Sequence, residues 1–176
     1  MTASSHTATT TQRPRFPVIA LKNPCTGAGQ YGGSPPDRLR PGSVRDVDHS
    51  RRTHTAAGAP EAIGPYSHAV SSQGLLFCSG QIPLDPQSGE LVGDDAAAQA
   101  VRCLENLDAV CRSAGARLAD AVRCTIYMTD LDDFAEVNEA YAGFFAEDPP
   151  SRVTVGVAAL PRGAQVEIEA VVAVDG

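Results

Sequence analysis

The chain has 176 residues, 43% of them hydrophobic and 20% charged, with a formal net charge of −7, which fits one modest globular domain with an ordinary core. The charge is uneven: residues 1–57 hold eight basic against three acidic residues, and residues 58–176 hold six against eighteen, a net of −12. A domain of that sign repels phosphate backbones, and no stretch reaches the roughly 20 apolar residues needed to cross a bilayer, so neither nucleic acid nor membrane is expected as a partner.

Residues 1–57 read as a disordered, low-complexity extension. "NPCTGAGQYGGSPPDRLRPGS" is dense in Gly, Pro and Ser and has no sustained period of 2 or 3.6, so it cannot bury enough apolar surface to offset its ordering entropy. Its "TGAGQYGG" run is followed by Pro35 and Pro36, where a phosphate cradle would need a helix N-terminus. The folded domain is expected over 58–176. "YSHAVSSQGLLFCSGQI" carries two short apolar runs around Ser71-Ser72-Gln73-Gly74 and predicts a β-hairpin. After the turn-rich "IPLDPQSGELVGD", residues Ala97, Ala100, Val101, Leu104, Leu107, Val110, Cys111 and Ala114 recur at three and four, with acids in front and Gly115 behind, predicting an amphipathic helix. "AVRCTIYMT" predicts a strand. "DLDDFAEVNEAYAGFFA" predicts a second helix, capped by Asp130, with Phe134, Val137, Tyr141 and Phe144 on one stripe. "SRVTVGVAALPRGAQVEIEA" supplies two closing strands.

Strand, strand, helix, strand, helix, strand, strand predicts an α+β domain: a single mixed β-sheet with two helices on one face. The opposite face, built from small and apolar residues, needs another chain to cover it, so a homo-oligomer is expected. Cys25, Cys78, Cys103, Cys111 and Cys124 form no CxxC pair and show no metal-finger spacing, which predicts reduced thiols, mostly buried, in a cytoplasmic protein without a metal site.

The last two strands carry charge in an unusual pattern. In the final strand Glu167 and Glu169 share a face with Val171 and Ala173, and in the one before it Arg152 shares a face with Thr154. If the two strands paired as a hairpin turning near Pro161 to Gly163, Arg152 and Glu167 would lie roughly 16 Å apart along the ladder. Either the strands are not neighbours, or other segments or another subunit bring these groups together.

"APEAIGPYSHAV", "CSGQIPLDPQSGELV", "DLDDFAEVNEAYAGFF" and "PPSRVTVGVAALPRGAQVEIEA" together resemble the signature segments of the Rid family (RidA/YjgF), enamine/imine deaminases once labelled L-PSP endoribonucleases. The resemblance covers about residues 59–174. It implies a chorismate-mutase-like fold and a homotrimer with sites in the clefts between subunits. It further implies hydrolysis of 2-enamino and 2-imino acids, such as 2-aminoacrylate, to 2-keto acids and ammonia, with no cofactor. By position, Arg152 matches the arginine that grips a substrate carboxylate and Glu167 the glutamate that activates water, while Tyr66, Ser79, Asn138 and Thr154 match pocket positions. Thr154 replaces a cysteine of many relatives, and His68 a glutamine, where it would serve as a proton carrier or as a plain, partly exposed strand residue. Glu169 is the rival for the carboxylate role. A non-catalytic 2-keto-acid-binding or chaperone-like trimer is the alternative function; an endoribonuclease fits poorly with an acidic domain lacking interleaved basic and aromatic residues.

Overall fold

In a computed structural model of the chain, which describes residues 51–145 and 147–174, six strands form one sheet covered on one face by two helices. The elements run β1 (Arg52–His54), β2 (Ala69–Ser72), β3 (Leu75–Gln81), α1 (Ala96–Ser113), β4 (Ala121–Met128), α2 (Phe134–Ala142), β5 (Ser151–Gly156) and β6 (Val166–Ala173). The strands lie in the order β1-β2-β3-β6-β4-β5. The β4–β5 pair is parallel and the other pairs are antiparallel, so the sheet is mixed, as expected.

Local chemistry accounts for each element. The β2–β3 hairpin turns on Gln73 and Gly74 with φ of 53° and 75°, the two positive values that a tight turn matching strand twist requires. Asp95 caps α1: its side chain accepts from the Ala98 amide at 2.8 Å, satisfying one donor the helix cannot. Asp95→Ala is expected to destabilise the fold by about 1 kcal/mol, seen in urea as a lower midpoint with an unchanged slope.

The core lies between the helices and the even-numbered face of the last strands. Leu104, Leu107, Val110 and Cys111 of α1 and Val166, Ile168, Ala170 and Val172 of β6 are buried, as are Cys124, Ile126 and Met128 of β4. Buried polar groups on α1 are paired. Asn106 donates to the carbonyls of Ile82 and Leu84, and Gln99 joins Gly93 to Gln165, so the turn-rich 82–93 segment is fastened to the helix. Cys78, Cys103, Cys111 and Cys124 are free and buried, as expected; Cys25 lies outside the described residues. Burial pushes the Cys103 and Cys124 thiols upward, and Cys111 is raised first by its contact with Cys78, 3.9 Å between sulfurs, and then by burial.

Three expectations change. The sheet begins at Arg52, six residues ahead of the boundary placed at 58; the remainder of the 1–57 extension, up to residue 50, lies outside the described residues. Helix α2 starts at Phe134, and Asp130 instead accepts from the Asp132 amide in the preceding turn. His68 is buried at 5% exposure, its Nδ1 accepting from the Ala56 amide at 2.8 Å. For the closing strands the first alternative holds: they are not neighbours, because β4 lies between β5 and β6.

The face away from the helices is open. Phe77, Val153 and Val155 are exposed there, beside Val171 and Tyr127 in the ladder.

Candidate active site

Strand order decides where the charged residues go. Arg152 is in register with Cys124, a residue of the helix-covered face, so Arg152 and Thr154 point to the helix side at the sheet edge. Glu167 is in register with Tyr127 and Glu169 with Thr125, on the open face. Arg152 and Glu167 are therefore two strands apart, about three residues offset and on opposite faces, with Cα atoms roughly 14 Å from one another. Within one chain they form two separate half-sites.

The first half-site is built on the edge strand. The Arg152 guanidinium sits 4.6 Å from the centre of the Tyr141 ring and 5.8 Å from that of Phe134, and Nη2 donates to Asn138 Oδ1 at 2.7 Å. Stacking and one hydrogen bond fix the plane of the guanidinium. Among the described residues it has no carboxylate partner. Beside it a hollow of about 340 Å³ is lined by Asn138, Tyr141, Phe145, Pro149, Pro150 and Arg152. Thr154 lies two residues along the same face. Asn138 therefore touches the arginine, a role the sequence left open. Tyr141, expected as core, is buried and also forms the platform beneath the cation.

The second half-site brings together Tyr66, Ser79 and Glu167, which line a cleft of about 260 Å³ with Ile63, Ile82 and Pro161. Tyr66 is 45% exposed at the rim, and its hydroxyl accepts from the Ile63 amide at 3.4 Å. Ser79 donates to the Ser67 carbonyl at 2.8 Å, which ties the wall of the cleft to the preceding loop. The β3–β6 ladder is irregular between Cys78 and Gln81. There Gly80 faces Glu167 so closely that any Cβ would collide with the carboxylate. Sequence reasoning missed Gly80, because the residue that needs the space is remote in the chain.

Burial, and secondarily the charge of Glu169, raises the Glu167 carboxyl above the usual carboxylate range. A carboxyl raised in the folded state contributes most to stability below its unfolded value, and that contribution is lost as pH climbs through the folded value. Glu167→Gln is accordingly expected to have a higher Tm than the parent at pH 7, an advantage that vanishes near pH 4. Thermal melts at the two pH values check this; equal Tm at pH 7 would contradict it.

Residues 56–174 match the family described as Endoribonuclease L-PSP. Protein DfrA from Myxococcus xanthus is 55% identical over 115 residues, covering 64% of this chain and 88% of that one. The human 2-iminobutanoate/2-iminopropanoate deaminase is 43% identical over 121 residues, covering 69% and 88%. Among solved structures, RidA from a Psychrobacter species superposes with a TM-score of 0.67 at 41% identity, covering 70% of this chain and 99% of the other. The chain belongs to this family, the Rid proteins, and has their α+β fold. Its relatives include imine deaminases.

Proposed function

We propose that the protein is a hydrolytic deaminase of 2-enamino and 2-imino acids, such as 2-aminoacrylate, acting in the cytoplasm as a homotrimer whose sites form between subunits. The observation that carries this reading is the division of the site. A stacked guanidinium with no carboxylate partner among the described residues stands on one face, and a cleft holding a raised carboxyl stands on the other. Each lacks what the other supplies, and only a second copy can bring the two together.

The chemistry asks little of the protein. The enamine tautomerises to its imine, whose C2 is already electrophilic. The Arg152 fork receives the substrate carboxylate and fixes its orientation, a task for which a planar cation suits better than an ammonium. Glu167 accepts a proton from water as the oxygen bonds to C2, giving a carbinolamine. That proton passes to the nitrogen to complete the carbinolamine; Glu167 then takes the hydroxyl proton and hands it to the same nitrogen as the C–N bond breaks, so ammonia leaves and the C=O of the 2-keto acid forms. Tyr66 closes the rim. Ile63, Ile82 and Pro161 give a mostly apolar wall that suits an aliphatic substrate side chain.

The test is release of ammonia and keto acid from 2-aminoacrylate generated in situ by a dehydratase. Release above the spontaneous rate by the parent, lost in Arg152→Ala, supports the reading. Full activity in Arg152→Ala rejects the mechanism, and a parent that binds 2-ketobutyrate without turnover is a binding protein instead.

A further inference from the structure

We propose that Tyr127 and Glu169 are positioning residues for Glu167, a hydrogen-bonded pair in which the tyrosine hydroxyl holds the second carboxyl group beside the base. The inference rests on Glu167 being the base described above.

Three geometric facts carry it. Glu167 and Glu169 are two residues apart on one face of β6, so their carboxylates are neighbours. Tyr127 is the direct cross-strand partner of Glu167. Yet its hydroxyl donates to Glu169 Oε1, at 3.3 Å. The hydrogen bond fixes where the Glu169 carboxyl group stands relative to Glu167. A phenylalanine would fill the same place on the strand without doing so.

Within its own chain, the charged group nearest Glu167 on the strand is Glu169, and in the proposed assembly the Arg152 of another copy enters the same cleft. Strand β3 presents Ser79 and Gly80, the preceding loop presents Tyr66, and Pro161 closes the far side. On β5 the residue opposite Tyr127 is Val155. Arg123, in register with Val171, lies beyond Glu169 and borders the same hollow as that residue. Cys103, on α1 across the sheet, is a thiol held protonated by burial. The direction of the Glu167 shift, upward through burial and Glu169, agrees with this arrangement. So does the upward shift of the Tyr127 hydroxyl, which burial, Glu169 and Glu167 together keep protonated and able to donate. A base of raised proton affinity takes a proton from water more readily, provided it stays ionised at the working pH.

The experiment is a carbon-13 carboxyl titration of Glu167 and Glu169 in the assembled protein, beside the acid limb of kcat/KM for deamination. Glu169→Gln is expected to lower the Glu167 midpoint by about half to one pH unit and to move the acid limb the same way. Glu169→Asp keeps the charge and should leave the midpoint within about 0.2 unit of the parent. Tyr127→Phe frees the Glu169 carboxyl group to turn away and should lower the Glu167 midpoint in the same direction as Glu169→Gln, by a smaller amount. An unmoved Glu167 midpoint in Glu169→Gln, or equal shifts in the Gln and Asp variants, would overturn the proposal; an unmoved Glu167 midpoint in Tyr127→Phe would remove the tyrosine from it. The titration requires no turnover. An inactive parent thus rejects the deaminase reading, while the midpoints still decide the electrostatic one.

Discussion

Arg152→Ala and Glu167→Ala, each nearly inactive alone, are expected to regain about one quarter of parental turnover when denatured, mixed in equal amounts and reassembled, because a random cyclic assembly joins an intact arginine to an intact glutamate at that frequency. The opposite-face placement of the two residues is the reason. In the proposed assembly a cleft between subunits would take its cation from one copy and its base from the next, so two different defects would fall into different halves. Each single loss should be large. Removing the fork costs the carboxylate its charge-assisted anchor, about a hundredfold or more in kcat/KM. Removing the base costs about 10²-fold to 10⁴-fold in kcat. Arg152→Lys should rescue little, since an ammonium neither matches the fork nor stacks on Tyr141 in the same way. A reassembled mixture as inactive as its components would place both residues in one subunit's site or in none.

The second large effect comes from a residue with no functional group. Gly80→Ala is expected to lower kcat by about a hundredfold while changing KM by no more than about threefold. The new methyl would stand where the Glu167 carboxylate now lies, turning the base out of the cleft without touching the arginine that another copy would supply there. Parental kcat in Gly80→Ala would show that Glu167 acts from another position.

What could be read from the chain and what could not divides along sequence distance. The hairpin turn, both helices and the period-2 face of β6 depend on neighbouring residues, and the pattern around Gln73-Gly74 and Glu167-Ile168-Glu169 expressed them directly. The position of β5 was hidden. A strand that pairs in parallel with β4 after an intervening helix makes a crossover, and nothing in "SRVTVG" distinguishes it from half of a hairpin. Strand β1 was missed because three residues, Arg52, Thr53 and His54, offer no apolar alternation. Asp130 was chosen as a cap by type, whereas the helix began at Phe134, after one further turn. Within the site, Arg152 and Glu167 stood out as charges on strands, but their separation by a whole strand and a whole sheet thickness was a property of topology alone.

The four described cysteines bear on self-preservation. Imines and the dehydro amino acids related to them are electrophiles, and the side chain they most readily alkylate is an exposed thiolate. Every described sulfhydryl here is packed under the helices, and those of Cys103, Cys111 and Cys124 are held protonated. Under the proposed reaction, the described domain would meet such compounds with no exposed sulfur nucleophile of its own.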